Sequence, residues 1–275
     1  MGSPDRGKTR AAGRPGHDRQ PRAAGQDDPR AEGSGPPDVL LLFDIDGTLL
    51  TAGEAPRYAL EEALRAVYGT PGPVTSHDFS GKTDPQIVRE LLALAARPAA
   101  EVEAGLHRAL EHYVSRLGAH LRGDPGARLL PGVSELVPRL AREPRAALAL
   151  LTGNVAGGAR VKLGRFGLWE HFATGAFGSD HAERNELPAL AMARAEARWG
   201  VRFPLERTFV IGDTPLDVAA ARAVGAVAVG VDTGRTTGLL AAQRPDHLLP
   251  DLSGWPSTLW PILFGEPLPA GGRDA

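Results

Sequence analysis

Two pairs of aspartates and one threonine stand where apolar chain gives way to a turn. The first pair lies in Phe43-Asp44-Ile45-Asp46-Gly47-Thr48-Leu49, directly after the run Val39 to Phe43. The second is Asp213 and Asp217, in Val210-Ile211-Gly212-Asp213-Thr214-Pro215-Leu216-Asp217. Asp213 ends its run and Asp217 follows one helical turn on, so both carboxylates can face one cavity. Between the pairs, Leu150-Leu151-Thr152-Gly153-Asn154 ends a third run on a hydroxyl that leads into a helical pattern. A hydroxyl beside the free N–H groups of a helix start forms a cradle for phosphate. Aspartates before glycine also make ordinary turns, and Ser or Thr caps are common. Recurrence at three strand ends sets these apart. The chain has no cysteine, which excludes thiolate nucleophiles, disulfides and sulfur-held metal centres. Any metal must be held by oxygen or imidazole.

The elements that must position these groups are legible around them. Val39 to Phe43 is apolar without alternation, as in a strand covered on both faces, and similar runs recur at Ala147 to Leu151, Thr208 to Ile211 and Ala226 to Val231. Helical patterns separate them: Asn154 is expected to cap a segment bearing Val161, Leu163 and Phe166, Leu187 to Trp199 is Ala-rich, and Thr214-Pro215 opens a further helix ending at Val224-Gly225. Strand alternating with helix predicts an α/β fold, a doubly wound parallel sheet, in which ligands gather at the carboxyl ends of strands. Residues 51–124 break the alternation, with helical patterns alone. Leu60, Leu64 and Val67 share a face, Asp84-Pro85 reads as an N-cap followed by proline, and Val102, Leu106, Leu110, Tyr113, Val114 and Leu117 continue the pattern. This predicts a smaller α-helical domain inserted after the first strand. The core is then 38–50 together with 125–252. Residues 1–37, poor in large apolar side chains, are expected to form a disordered tail. Residues 253–275 are expected as a surface tail from which Trp255, Trp260 and Phe264 could dock.

The combination of Asp44-Ile45-Asp46-Gly47-Thr48, strand-end Thr152, a basic residue and the Asp213/Asp217 pair resembles the haloacid dehalogenase superfamily of hydrolases over about residues 38–250. The resemblance implies a Rossmann-like core with an α-helical cap at 51–124. It implies that Asp44 is a nucleophile forming an aspartyl phosphate, and that Asp46 is the general acid and base. Thr152 would bind phosphoryl oxygens, with Gly47, Thr48, Gly153 and Asn154 as further substrate contacts. Asp44, the Asp46 backbone carbonyl and Asp213 would ligate Mg2+, with Asp217 in support. Many relatives carry Lys-Pro before the helix leading to the last acidic motif, whereas this chain has Arg184 in Glu183-Arg184-Asn185-Glu186-Leu187-Pro188, and Lys162 competes for the same role. The segment Phe79-Ser80-Gly81-Lys82-Thr83-Asp84 resembles the cap loop that reaches substrate in phosphoglycolate-phosphatase-like proteins, which makes Lys82 a candidate for a remote anion.

Other readings find less support. Ser76 stands where a P-loop requires glycine, and no dinucleotide fingerprint, serine-hydrolase elbow or His-Glu-x-x-His zinc motif occurs. His181 reads as a loop histidine, while His107 and His112 are spaced off one helical face. With 31 Lys+Arg against 33 Asp+Glu, no basic footprint for nucleic acid exists, and no apolar run spans a bilayer. The expectation is a cytoplasmic magnesium-dependent phosphatase acting on a small phosphorylated metabolite, 2-phosphoglycolate being the leading candidate. A phosphomutase resembling β-phosphoglucomutase, using the same aspartate pair, and an inactive binding protein on the same fold are the alternatives.

Overall fold

The computed structural model describes residues 35–234 and 238–269. Nearly all of the expected N-terminal tail therefore lies outside the described residues. Among the described residues eight strands form, β1 (Val39–Phe43), β2 (Leu50–Ala52), β3 (Ala127–Leu129), β4 (Ala146–Thr152), β5 (Thr174–Phe177), β6 (Thr208–Gly212), β7 (Val227–Val231) and β8 (His247–Leu249). Six make one sheet in the order β5-β4-β1-β6-β7-β8, with every neighbouring pair parallel.

Burial explains why the strand runs lack alternation. Leu41 and Phe43 face one apolar cluster with Leu148, Leu150 and Ile211. Leu40 and Leu42 face another with Ala147, Ala149, Leu151 and Val210. Both faces are covered, so both must be apolar. The central register pairs Phe43 with Leu150 on one side and Ile211 on the other, which brings the ends of β1, β4 and β6 to one edge. Strand β5 escapes pattern reading because it is short and contains Gly175, where a Cβ would lie 2.8 Å from that of Leu150.

Nine helices are described: α1 (Ala55–Tyr68), α2 (Asp84–Leu94), α3 (Ala99–Gly123), α4 (Val133–Ala141), α5 (Ala156–Gly164), α6 (Leu187–Trp199), α7 (Pro215–Val224), α8 (Leu239–Ala242) and α9 (Leu259–Phe264). The first three lie between β2 and β3, which pair antiparallel as a two-stranded connection to the sheet. Asp124 ties that connection. Its Oδ2 accepts the N–H groups of Glu54 at 2.6 Å and Ala55 at 2.9 Å, capping α1 from the far end of the insert, while Oδ1 accepts from Gly126 at 2.7 Å. Inside the insert α1 packs on α3, with the Tyr68 hydroxyl donating to the Val102 carbonyl at 2.7 Å.

Two caps differ from the sequence reading. Helix α2 is capped by Thr83, whose hydroxyl accepts from the Gln86 N–H at 3.2 Å, so Asp84 is free for other contacts. Helix α5 starts after Val155, and Asn154 turns its side chain into the strand-end site instead of capping. The segment after Leu252 is also no simple surface tail. Trp260 is fully buried, packs tilted against Phe264 with ring centroids 4.5 Å apart and carries the Arg139 guanidinium over its ring at 4.4 Å. Its aromatic content makes packing favourable. No helix of the described residues is long and apolar enough to cross a membrane.

Candidate active site

The three strand ends converge. Asp44 follows β1 and is buried, as are Asp213 after β6 and Asp217 on α7. Their nearest oxygens all lie within 4.8 Å of one another. Gly47 permits this approach: its φ is +92°, and a Cβ there would sit 2.1 Å from Asp213 Oδ2. Asp217 Oδ2 accepts the Thr214 N–H at 3.0 Å and the Thr214 hydroxyl at 2.7 Å, and Oδ1 accepts from Arg184. Both its oxygens are engaged, and with Asp44 and Asp213 it forms a cluster of hard oxygens that could hold a cation.

The two competing basic residues are both buried, and they serve different carboxylates. Arg184 opens a short 3-10 turn before α6. One of its terminal nitrogens bridges Asp217 and Asp44, reaching Asp44 Oδ1 at 3.0 Å. Lys162, on α5, donates to Asp46 Oδ2 at 2.6 Å and to Asn154 Oδ1 at 2.6 Å. Asn154 Nδ2 donates to the same Asp46 oxygen at 2.8 Å and to Thr152 Oγ1 at 2.8 Å. Lys162 and Asn154 thus fix the Asp46 carboxylate. Thr152 Oγ1 also accepts the Asn154 N–H at 3.3 Å, which leaves its own hydroxyl hydrogen to donate toward an anion.

Electrostatics follow from this layout. Burial pushes the Asp44 carboxyl up to about 6; Arg184 opposes the rise, and Asp217 and Asp46 add to it. Arg184 stays protonated, because the pull of Asp217 and Asp44 outweighs the burial that disfavours its charge. Without added positive charge, ionised Asp44 faces excess negative charge in a poorly solvated place.

The helical insert closes the site from above. The Thr83 hydroxyl donates to the Ala182 carbonyl at 2.7 Å, the Asp84 N–H to the Gly153 carbonyl at 2.8 Å, and Asp84 Oδ2 accepts the Val155 N–H at 2.8 Å. Gly153 is required here, since a Cβ would lie 2.1 Å from the Lys82 carbonyl oxygen. The cavity between the insert and the strand ends, partly open to solvent, measures about 150 Å³ and is lined by Asp44, Asp46, Thr152, Asn154, Lys162 and Arg184 below. Arg57, Phe79, Lys82, Asp84 and Tyr113 line it above.

Among the expected substrate contacts, Gly153 and Asn154 line this cavity, whereas Gly47 and Thr48 do not. The turn at Gly47 carries Thr48 into full burial, and Gly47 instead makes room for Asp213. Lys82 lines the wall but its ammonium lies 2.6 Å from Glu90 Oε2 and 3.4 Å from His77 Nε2. His181 is a loop residue whose Nδ1 accepts the Glu183 N–H at 3.0 Å. Sequence reasoning missed Arg57, Asp84 and Tyr113 as site residues. They come from three helices of the insert, and each reads locally as an ordinary cap or helix position.

Known proteins resemble this chain in sequence and in fold. Residues 41–222 match the haloacid dehalogenase-like hydrolase family. A phosphoglycolate phosphatase of Agrobacterium fabrum is 27% identical over 247 residues, covering 88% of this chain and 99% of that protein. The tyrosine-protein kinase PtkA of Mycobacterium tuberculosis is 31% identical over 213 residues, covering 75% of this chain and 67% of that protein. The crystal structure of a hydrolase from Pseudomonas syringae superposes with a TM-score of 0.61 at 22% identity, covering 82% of this chain and 99% of the other. With its sheet order, its strand-end aspartates and a family match through most of the described residues, the chain belongs to the haloacid dehalogenase-like hydrolase family.

Proposed function

We propose that this hydrolase is a cytoplasmic, magnesium-dependent phosphatase that cleaves a small phosphate monoester through an aspartyl phosphate on Asp44. The observation that carries the reading is the division of the site into two held carboxylates. Asp44 sits against Arg184 beside the Asp213/Asp217 pair, and Asp46 is clamped two residues on by Lys162 and Asn154. In this reading Asp44 attacks phosphorus, with Thr152 and Arg184 donating to phosphoryl oxygens. As the P–O ester bond breaks, Asp46 gives a proton to the departing alkoxide. In the second half Asp46 takes a proton from water, whose oxygen attacks the acyl phosphate. Inorganic phosphate leaves and the Asp44 carboxylate is restored.

Asp44, Asp213 and the Asp46 backbone carbonyl would hold magnesium, since buried carboxylate oxygens outnumber the one guanidinium among them and the absent Cβ at Gly47 opens the space beside Asp213. Magnesium, when bound, offsets the repulsion between a carboxylate and a phosphate dianion. The names of the phosphoglycolate phosphatase relatives favour 2-phosphoglycolate as substrate.

The test is phosphate release from p-nitrophenyl phosphate and 2-phosphoglycolate by wild type and Asp44→Asn, with EDTA and with magnesium restored. Asp44→Asn is expected to abolish turnover, and chelation to silence the wild type reversibly. Residual activity within about tenfold of wild type, roughly 1.4 kcal/mol of barrier, removes Asp44 as nucleophile. Full activity in excess EDTA removes the metal. Transfer from ATP to protein tyrosine, the reaction for which the mycobacterial relative is named, releases no free phosphate from these esters and is separated by the same assay.

A further inference from the structure

Resting on that phosphatase reading, we infer that Arg57 of α1 reads a carboxylate on the substrate, remote from the scissile phosphate, and so determines specificity. Arg57 and Lys82 are the two basic side chains that the helical insert contributes to the cavity wall. They differ in what holds them. Lys82 lies 2.6 Å from Glu90 Oε2 and is 23% exposed, so its charge is matched inside the insert. Arg57 is held chiefly by neutral partners. One terminal nitrogen donates to the carbonyls of Val74 and His77, the latter at 3.1 Å, and the guanidinium lies over the Phe79 ring at 4.3 Å. Its one acidic neighbour, Glu54, stands 3.6 Å from Nε and is 64% exposed, a pair that solvent screens heavily.

A guanidinium fixed by two carbonyls and a ring keeps its charge and spends only one terminal nitrogen on them. The second terminal nitrogen makes no hydrogen bond among the described residues and is available to a ligand. Fixing it in advance reduces the ordering cost of binding. That nitrogen and Nε, whose contact with Glu54 solvent screens, present a side-on fork that a planar carboxylate fits better than it fits the point charge of an ammonium.

The test compares 2-phosphoglycolate with ethyl phosphate, two primary alkyl phosphates that differ in the carboxylate. Wild type is expected to prefer 2-phosphoglycolate in kcat/KM, and Arg57→Gln to lower that preference roughly ten- to a hundredfold, the size of one charge-assisted contact at a partly desolvated site. Arg57→Lys, which keeps the charge without the fork, is expected to fall between. Lys82→Met is expected to shift the preference less than Arg57→Gln does. No wild-type preference, equal losses on both esters, or a larger effect at Lys82 overturns the assignment. Calorimetric binding of the same two esters to Asp44→Asn, with and without Arg57→Gln, reads the contact independently of turnover. If wild type cleaves neither ester nor p-nitrophenyl phosphate, the phosphatase reading fails. In that case a binding preference lost with Arg57 still supports the subsite, and equal binding rejects it.

Discussion

Replacing Asp84 by asparagine should change how stability depends on pH, and the contact responsible joins the helical insert to the sheet. The Asp84 carboxylate accepts the Val155 N–H at 2.8 Å, a bond that an asparagine carbonyl oxygen can keep. Burial pushes this carboxyl up to about 6, against the pull of Lys162 and the Val155 bond and with added repulsion from Asp46. The folded protein therefore holds the proton more tightly than the unfolded chain, whose ordinary value is 3.8. The stabilisation from this proton is fully present below 3.8 and is lost as pH rises through about 6. Two units at about 1.4 kcal/mol each set an upper bound of about 3 kcal/mol. Asp84 also faces the cavity, so screening reduces the effect, and about 1–3 kcal/mol is expected. At about 2–4 °C per kcal/mol, that corresponds to roughly 2–12 °C in Tm. Metal-free wild type and Asp84→Asn, unfolded thermally at about pH 4.5 and about pH 7.5, provide the comparison. The variant should gain on wild type toward the higher pH. Parallel curves, or a wild type that gains instead, would refute the argument.

Three further outcomes follow from the same geometry. Asp46→Asn should lower turnover of alkyl phosphates more than that of p-nitrophenyl phosphate, whose leaving group needs no proton; equal losses in kcat would count against the acid role. Lys162→Met and Arg184→Met should both lower kcat at least about tenfold, with Arg184→Met costing more because it also leaves two buried carboxylates facing each other; steady-state kinetics with a thermal melt checks the order. Asp124→Ala removes the cap of α1 and should lower stability by about 1–2 kcal/mol in urea unfolding, and an unchanged midpoint would show that water replaces the carboxylate.

The sequence by itself determined four of the sheet's six strands and the residues at their ends; the short strands β5 and β8 escaped it. Strands buried on both faces read as unbroken apolar runs, and Asp44, Asp46, Thr152 and Asp213 stand at the ends of those runs, where the chain leaves the core. A helical insert was legible too, because residues 51–124 carry helical periodicity and no such run. Tertiary structure decided what local pattern cannot encode. Lys162 and Arg184 compete on paper for one role, and only the placement of α5 and the turn before α6 shows that each meets a different aspartate. Asp84 reads as a helix cap, yet Thr83 takes the cap and Asp84 reaches Val155 across the interface. Arg57 carries no local signature at all. Its position in the cavity wall comes from the packing of the insert over the strand ends, a contact between segments distant in sequence. Periodicity reports which face of an element is buried; it does not report which side chains of different elements meet.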